Sequence, residues 1–262
     1  MKENSIQVIK PIARKRRFKR KLVMHKFLRF LLISFLIVML VIVWRSAAGE
    51  QNSGVPKGGS ESNMTENIPV NEDWRLRLVN SGHSLPADYP VQLEKVQGSH
   101  QVDERIAGHV TSMIQAAGDD GVDLLICSSY RSVGRQQELF DEEIDKYMTA
   151  GKSNDEAVAE AAMGVAVPGH SEHSTGLALD IVTPKYQMLD SGFEETDAFK
   201  WLDKNAHKYG FILRYPKGKT PITKIKYEPW HYRYVGQEHA PIIKEKNLTL
   251  EEYLEYLKDS AN

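Results

Sequence analysis

Two short stretches of this 262-residue chain carry residue types that can do metal chemistry. The first is Gly169-His170-Ser171-Glu172-His173-Ser174-Thr175-Gly176-Leu177-Ala178-Leu179-Asp180, and the second is Glu228-Pro229-Trp230-His231. His173 and His231 supply two imidazoles, and Asp180 and Glu228 supply two carboxylates. A catalytic zinc site needs such a set: three protein ligands of the His/carboxylate type, and one nearby carboxylate to handle the proton of an activated water.

The elements that hold these residues can be read from the same stretches. Leu177, Leu179 and Ile181 alternate with Ala178, Asp180 and Val182, a period of two that predicts a short strand. An unpaired carboxylate in the middle of such a strand is costly when buried, and a bound metal removes that cost. His173 lies seven residues before Asp180. Gly176 permits an unusual backbone turn between them, which can bring His173 back beside the strand. Taken alone, His173 is equally well a surface-loop residue and Asp180 half of a salt bridge. Pro229 argues against a helix interior, so Glu228 and His231 belong to an extended or turning segment. There Trp230 is either an apolar wall or simply core.

The pattern Ser-x-His-x-x-Gly-x-Ala-x-Asp from Ser171 to Asp180, followed by Glu-Pro-Trp-His, resembles the VanY-type zinc D-alanyl-D-alanine carboxypeptidases. The LdcB-type L,D-carboxypeptidases share the same motifs. The resemblance extends over Ser128-Ser129-Tyr130-Arg131-Ser132, with Gln136 behind it, and back to Leu78-Val79-Asn80 and Leu85-Pro86. It implies a peptidase that removes the last residue of peptidoglycan stem peptides, with Zn²⁺ held by His173, Asp180 and His231. It implies Glu228 as the general base, and Arg131 as the group that binds the scissile carbonyl and stabilises the oxyanion. It further implies substrate contacts from Ser129, Arg131, Gln136, Ser171 and Trp230. Without it, Arg131 is an ion-paired surface residue, Gln136 a solvated helix residue and Ser171 a turn residue. The remaining histidines, His83, His100, His109, His170, His207 and His239, match no metal spacing. Tyr130 and Tyr227 neighbour the motifs and are candidate pocket walls.

The net charge of −1 hides a split. Residues 1–29 hold 11 Lys and Arg against one acidic residue, so a +10 head precedes a body of −11. A membrane segment explains this better than nucleic acid does. Phe30 to Trp44 is an apolar run without charge, short against the roughly 20 residues of a usual span. Flanking Lys26, Arg29 and Arg45 can snorkel. Basic residues ahead of the run predict an N-terminus on the cytoplasmic side and export of the rest. Two readings follow: an uncleaved single-pass anchor at residues 30–45, or a signal peptide cut after Ser46-Ala47-Ala48, releasing the domain to the cell wall. Residues 46–73 are rich in Gly, Ser, Asn, Glu and Pro and read as a flexible linker. The folded unit is expected over residues 74–262, acting as a monomer. A lone cysteine, Cys127, allows no intrachain disulfide and reads as a small core residue of a strand at Val122 to Cys127.

Within that unit, helices are expected at Asp103 to Ala117, 134–149, Asn154 to Met163, Phe199 to Tyr209 and Leu250 to Leu257. Ser153 and Thr249 read as N-caps and Gly210 as a stop. Strands are expected at Phe211 to Arg214 and Ile222 to Tyr227. Helices mixed with short hairpin-connected strands give an α+β fold, with a small antiparallel sheet carrying the metal between flanking helices. Two other activities use the same residues. One is a zinc endopeptidase cutting wall cross-links. The other is a non-catalytic binding module on a zinc fold, against which the presence of Glu228 argues.

Overall fold

The computed structural model describes residues 73–261. The basic head, the apolar run and the linker expected before Trp74 lie outside the described residues, apart from Asp73. Among the described residues, no helix is long and apolar enough to cross a membrane.

The framework is a four-stranded antiparallel sheet. Its strands are β3 (Leu125–Ser128), β4 (Ala178–Val182), β5 (Phe211–Leu213) and β6 (His231–Tyr234), in the order β3-β4-β6-β5. A two-stranded hairpin, β1 (Leu93–Lys95) and β2 (Gln101–Asp103), precedes it. Residues paired across antiparallel strands project to the same face. Leu179 is paired with Tyr232, Phe211 with Tyr234 and Ile126 with Ile181, so these residues form one apolar face. Helix α1 (Glu104–Asp119) lays Ile106, Val110 and Met113 into that core. Helix α4 (Asp197–Asn205) adds Trp201 and Leu202. Burying each such side chain contributes about 1.5–3 kcal/mol. The opposite face carries Asp180, His231 and Arg233.

Local chemistry sets the helix ends. Asp103 caps α1 through Oδ1, which accepts from Arg105 N at 3.0 Å. Ser132 caps α2 (Val133–Thr149), and Ser153 with Glu156 forms a capping box on α3 (Asn154–Ala162). Gly210 takes φ +87° and stops the 3-10 turn that extends α4. Thr249 accepts from Glu252 N at 3.2 Å and opens α7 (Leu250–Ala261).

Two expectations need correction. Ile222 to Tyr227 is not a strand: Thr220–Thr223 forms a short helical turn, α5, with Pro221 in its first turn. Lys224 then takes a left-handed φ of +63°, and Lys226 N donates to the carbonyl of Met163 at 2.8 Å. The segment is thereby pinned to the end of α3 and cannot pair in the sheet. The fourth strand is β6, which begins at His231 itself. Cys127 is exposed, because β3 is an edge strand and Cys127 sits at a break in its register between Ile126 and Ser128. Two elements had no clear signal: the β1–β2 hairpin, and the short helix α6 (Ala240–Lys246), whose charged sequence hides its buried Ala240 and Ile243.

Gly176 has φ +74°, and a Cβ placed on it would meet the backbone N of Asp103 at 2.7 Å. That same Asp103 N donates to the Gly176 carbonyl at 3.0 Å. Gly176→Ala combines a left-handed penalty with a clash against backbone, a cost of about 2–4 kcal/mol. Thermal denaturation should show Tm lowered by roughly 5–15 °C. A melting point equal to the parent's would contradict this close approach.

Candidate active site

The strand register creates the site. Asp180 on β4 is directly paired with His231 on β6, so the two side chains leave the same face of the sheet. His173 arrives from a 3-10 turn, Glu172–Thr175, which Gly176 closes in the left-handed conformation. The result is that His173 Nε2 lies 3.3 Å from Asp180 Oδ2, and His231 Nδ1 lies 3.1 Å from Asp180 Oδ1. All three residues are buried.

One donor atom from each of the three lies within 4.8 Å of the others. Tetrahedral ligands around Zn²⁺ at about 2.1 Å stand about 3.4 Å apart, close to the two His–Asp spacings of 3.3 and 3.1 Å. His173 Nε2 and Asp180 Oδ1 are buried without a hydrogen-bond partner, which a bound cation would supply. The tautomer of His173 suits this role. Its Nδ1 lies 2.7 Å from the carbonyl of Ser129, so Nδ1 carries the proton and Nε2 keeps its lone pair for the metal. The donor set of two imidazoles and one carboxylate fits zinc. Among the described residues no other histidine joins such a group. His170, three residues from a ligand, instead bonds the carbonyl of Asn80 at 2.7 Å.

Glu228 stands beside this trio and outside it. Its Oε2 is 3.5 Å from His231 Nδ1, three residues on, and its backbone N donates to the Tyr215 carbonyl at 3.1 Å. Burial pushes its carboxyl up to about 8; His231 opposes that rise and Asp180 adds to it. Burial, then the Arg131 guanidinium, lowers His173 to about 4. Burial also disfavours charge on His231, but the carboxylates of Asp180, Glu172 and Glu228 around it raise it to about 9. Burial works against ionisation of Asp180 too, and His173 and His231 hold its carboxyl well below the usual range.

Arg131 lines the same cavity. The bulge at Ser128 turns the chain off β3, and the loop is tied to the metal turn by two bonds. Arg131 N donates to His173 O at 3.3 Å, and Ser174 Oγ donates to Arg131 O at 2.9 Å. Arg131 Nε is buried without a partner, and the residue lines the same cavity as the trio and Glu228. That cavity has a volume of about 460 Å³. Ser171, Trp230, Tyr215 and Tyr227 line it too.

Two of the residues expected at the substrate stand elsewhere. Ser129 Oγ accepts from Gln101 N at 3.2 Å, facing β2, and only its carbonyl serves the site. Gln136 is fully buried behind the wall, its Nε2 donating to the carbonyl of Ala166 at 2.6 Å. Tyr130 does not line the cavity. Sequence reasoning missed Glu172, Arg214 and Arg233, which form a buried charged cluster behind His231. Only Arg233 left a signal: it alternates with His231 in one strand and so shares its face.

Comparison with known proteins agrees with this geometry. The family model described as VanY, D-alanyl-D-alanine carboxypeptidase, matches residues 99–237. A D-alanyl-D-alanine carboxypeptidase of Enterococcus faecalis is 38% identical over 258 residues, covering 92% of this chain and 94% of that protein. The structure of a vancomycin resistance D,D-pentapeptidase VanY variant, solved in complex with Zn(II), superposes with a TM-score of 0.64 at 42% identity, covering 69% of this chain and 99% of the other. The LdcB LD-carboxypeptidase superposes with a TM-score of 0.59 at 41% identity, covering 68% of this chain and 84% of the other. Motifs, sheet register, metal donors and overall similarity all agree, and the chain belongs to the VanY family of D-alanyl-D-alanine carboxypeptidases.

Proposed function

We propose that this chain is a zinc-dependent carboxypeptidase that removes the C-terminal D-alanine of peptidoglycan stem peptides. The observation that carries this reading is one cavity holding four things together: the His173/Asp180/His231 trio, Glu228 beside it, Arg131, and apolar walls around it. Zinc bound by the trio would supply Lewis-acid polarisation of the scissile carbonyl and a nucleophilic water at neutral pH. Glu228 takes the proton of the attacking water and passes it to the departing amine. Burial raises the basicity of this carboxylate above that of an ordinary Glu, which suits it to accept that proton. The Arg131 guanidinium, carried on a loop whose backbone is tied to the His173 turn, stabilises the negative charge that develops on the carbonyl oxygen. Ser171 and Trp230 line the cavity; in this reading Ser171 binds the substrate's terminal carboxylate and Trp230 forms a side wall. The wall position of the substrate fits a domain held outside the cytoplasmic membrane by residues 30–45, a reading that rests on the basic head and apolar run of the sequence.

Both D,D- and L,D-carboxypeptidases carry this machinery, so the bond cut is read from products. Purified protein incubated with tetrapeptide and pentapeptide stems should release one D-alanine, seen by mass spectrometry. A pentapeptide substrate yielding tetrapeptide marks D,D activity, and a tetrapeptide yielding tripeptide marks L,D activity. Chelation should abolish release and added zinc restore it. No product from either stem, or activity indifferent to chelators, would refute the reading.

Zinc binding should also be linked to protons. In the metal-free protein His231 is raised to about 9, so at pH 7 it is protonated, and a ligand must be neutral. Zinc must therefore displace that proton. Apparent affinity should rise about tenfold per pH unit between pH 7 and 9 and then level off. Calorimetry at pH 7 in buffers of different ionisation enthalpy should show at least one proton released per zinc. A pH-independent affinity with no proton release would contradict this ligand assignment.

A further inference from the structure

Behind His231 lies a buried charged cluster. Glu172 is 1% exposed, and two arginines donate to one of its oxygens: Arg214 Nε and Arg233 Nη1 each reach Oε1 at 2.8 Å. The other oxygen, Oε2, is buried and has no hydrogen-bond partner. Facing it at 3.7 Å is His231 Nε2, which is also buried and also lacks a partner. His231 presents its other nitrogen, Nδ1, to Asp180 and Glu228. A neutral imidazole that offers Nδ1 as a lone pair carries its proton on Nε2. Two orphaned groups thus face each other across 3.7 Å, an N–H and an anionic oxygen, a short approach away from a hydrogen bond.

We propose that Glu172 is a positioning residue for the metal: it accepts the Nε2 proton of His231 and so keeps Nδ1 as the ligand atom. The inference rests on the zinc reading of the donor trio. His173 is oriented in the parallel way by a backbone carbonyl, that of Ser129. His231 has a full carboxylate behind it, which also makes its imidazole the more basic ligand. The two arginines make this acceptor immobile. Arg214 donates from Nη1 and Nη2 to Glu251 on α7, at 2.8 and 2.7 Å. Arg233 Nη2 donates to the carbonyls of Arg75 and Arg77, at 3.0 and 2.9 Å. Glu172 is therefore braced from both the start of the folded unit and its last helix, and turning it away from His231 would break a buried charged network.

The test is Glu172→Gln. Its amide oxygen must face the two guanidinium groups, so its NH₂ faces His231 Nε2. That donor stabilises the opposite tautomer, with the proton on Nδ1, the ligand atom. Zinc affinity, measured by competition with a chromophoric chelator well below the melting temperature, should fall about 10–100-fold. The two-bond ¹H–¹⁵N imidazole spectrum of the zinc-loaded parent should show His231 protonated at Nε2. A folded Glu172→Gln protein whose affinity stays within about twofold of the parent would overturn the proposal, as would a His231 protonated at Nδ1 in the loaded parent. Should the variant fail to fold, the parent's imidazole spectrum decides. A parent that binds no zinc refutes the zinc reading itself, a separate failure visible before any variant is made.

Discussion

Asp180 and His231 face each other across two hydrogen-bonded strands, and the site depends on that register. The pairing is held by backbone bonds such as Ile181 N to Trp230 O at 2.9 Å. A slip of one residue would turn Leu179 or Ile181 toward the cavity and send Asp180 into the apolar core. The register is therefore fixed by the hydrophobic face that Leu179, Ile181, Tyr232 and Tyr234 present to α1 and α4. Burial on one side of the sheet specifies geometry on the other. The third ligand comes from a turn, and its placement needs Gly176 against the start of α1 and the Ser129 carbonyl behind the ring.

The electrostatics of the cavity follow from what surrounds each imidazole. His173 has Arg131 nearby and stays neutral through burial and like charge, ready as a ligand. His231 stands among Asp180, Glu172 and Glu228, and without metal those carboxylates favour a proton on it. The cation that the fold is arranged to hold sits where that positive charge is wanted. Behind it Arg214 and Arg233 offset Glu172, whose carboxyl they hold well below its usual range although burial acts the other way. Each buried charge in this region has an opposite charge in contact, as burial of ionised groups requires.

Much of this was legible in the chain. The period-two pattern around Asp180 and the glycine before it announced a strand and a turn, and both formed. Ser153 and Thr249 announced helix starts with their side-chain oxygens. The strand expected at Ile222 to Tyr227 failed because Pro221 and the contact of Lys226 with Met163 outweigh the strand propensity of Ile222, Thr223, Ile225 and Tyr227. Cys127 looked interior because Leu124, Leu125 and Ile126 precede it, yet strand order puts β3 at the edge, and strand order is not written locally. Glu172 was invisible for a related reason. A Glu between Ser and His reads as solvated, and only long-range packing brings Arg214 and Arg233 onto it.

The central claim is that Glu228 acts on protons and does not bind the metal. Glu228→Gln keeps the shape of the side chain and removes its basicity. Steady-state hydrolysis of the preferred stem peptide, with zinc content measured on the same sample, tests it directly. The expected result is kcat lowered by about 10²–10⁴-fold, with one zinc still bound and KM little changed. A variant that loses its zinc would make Glu228 a ligand, and one that turns over as fast as the parent would place the base elsewhere.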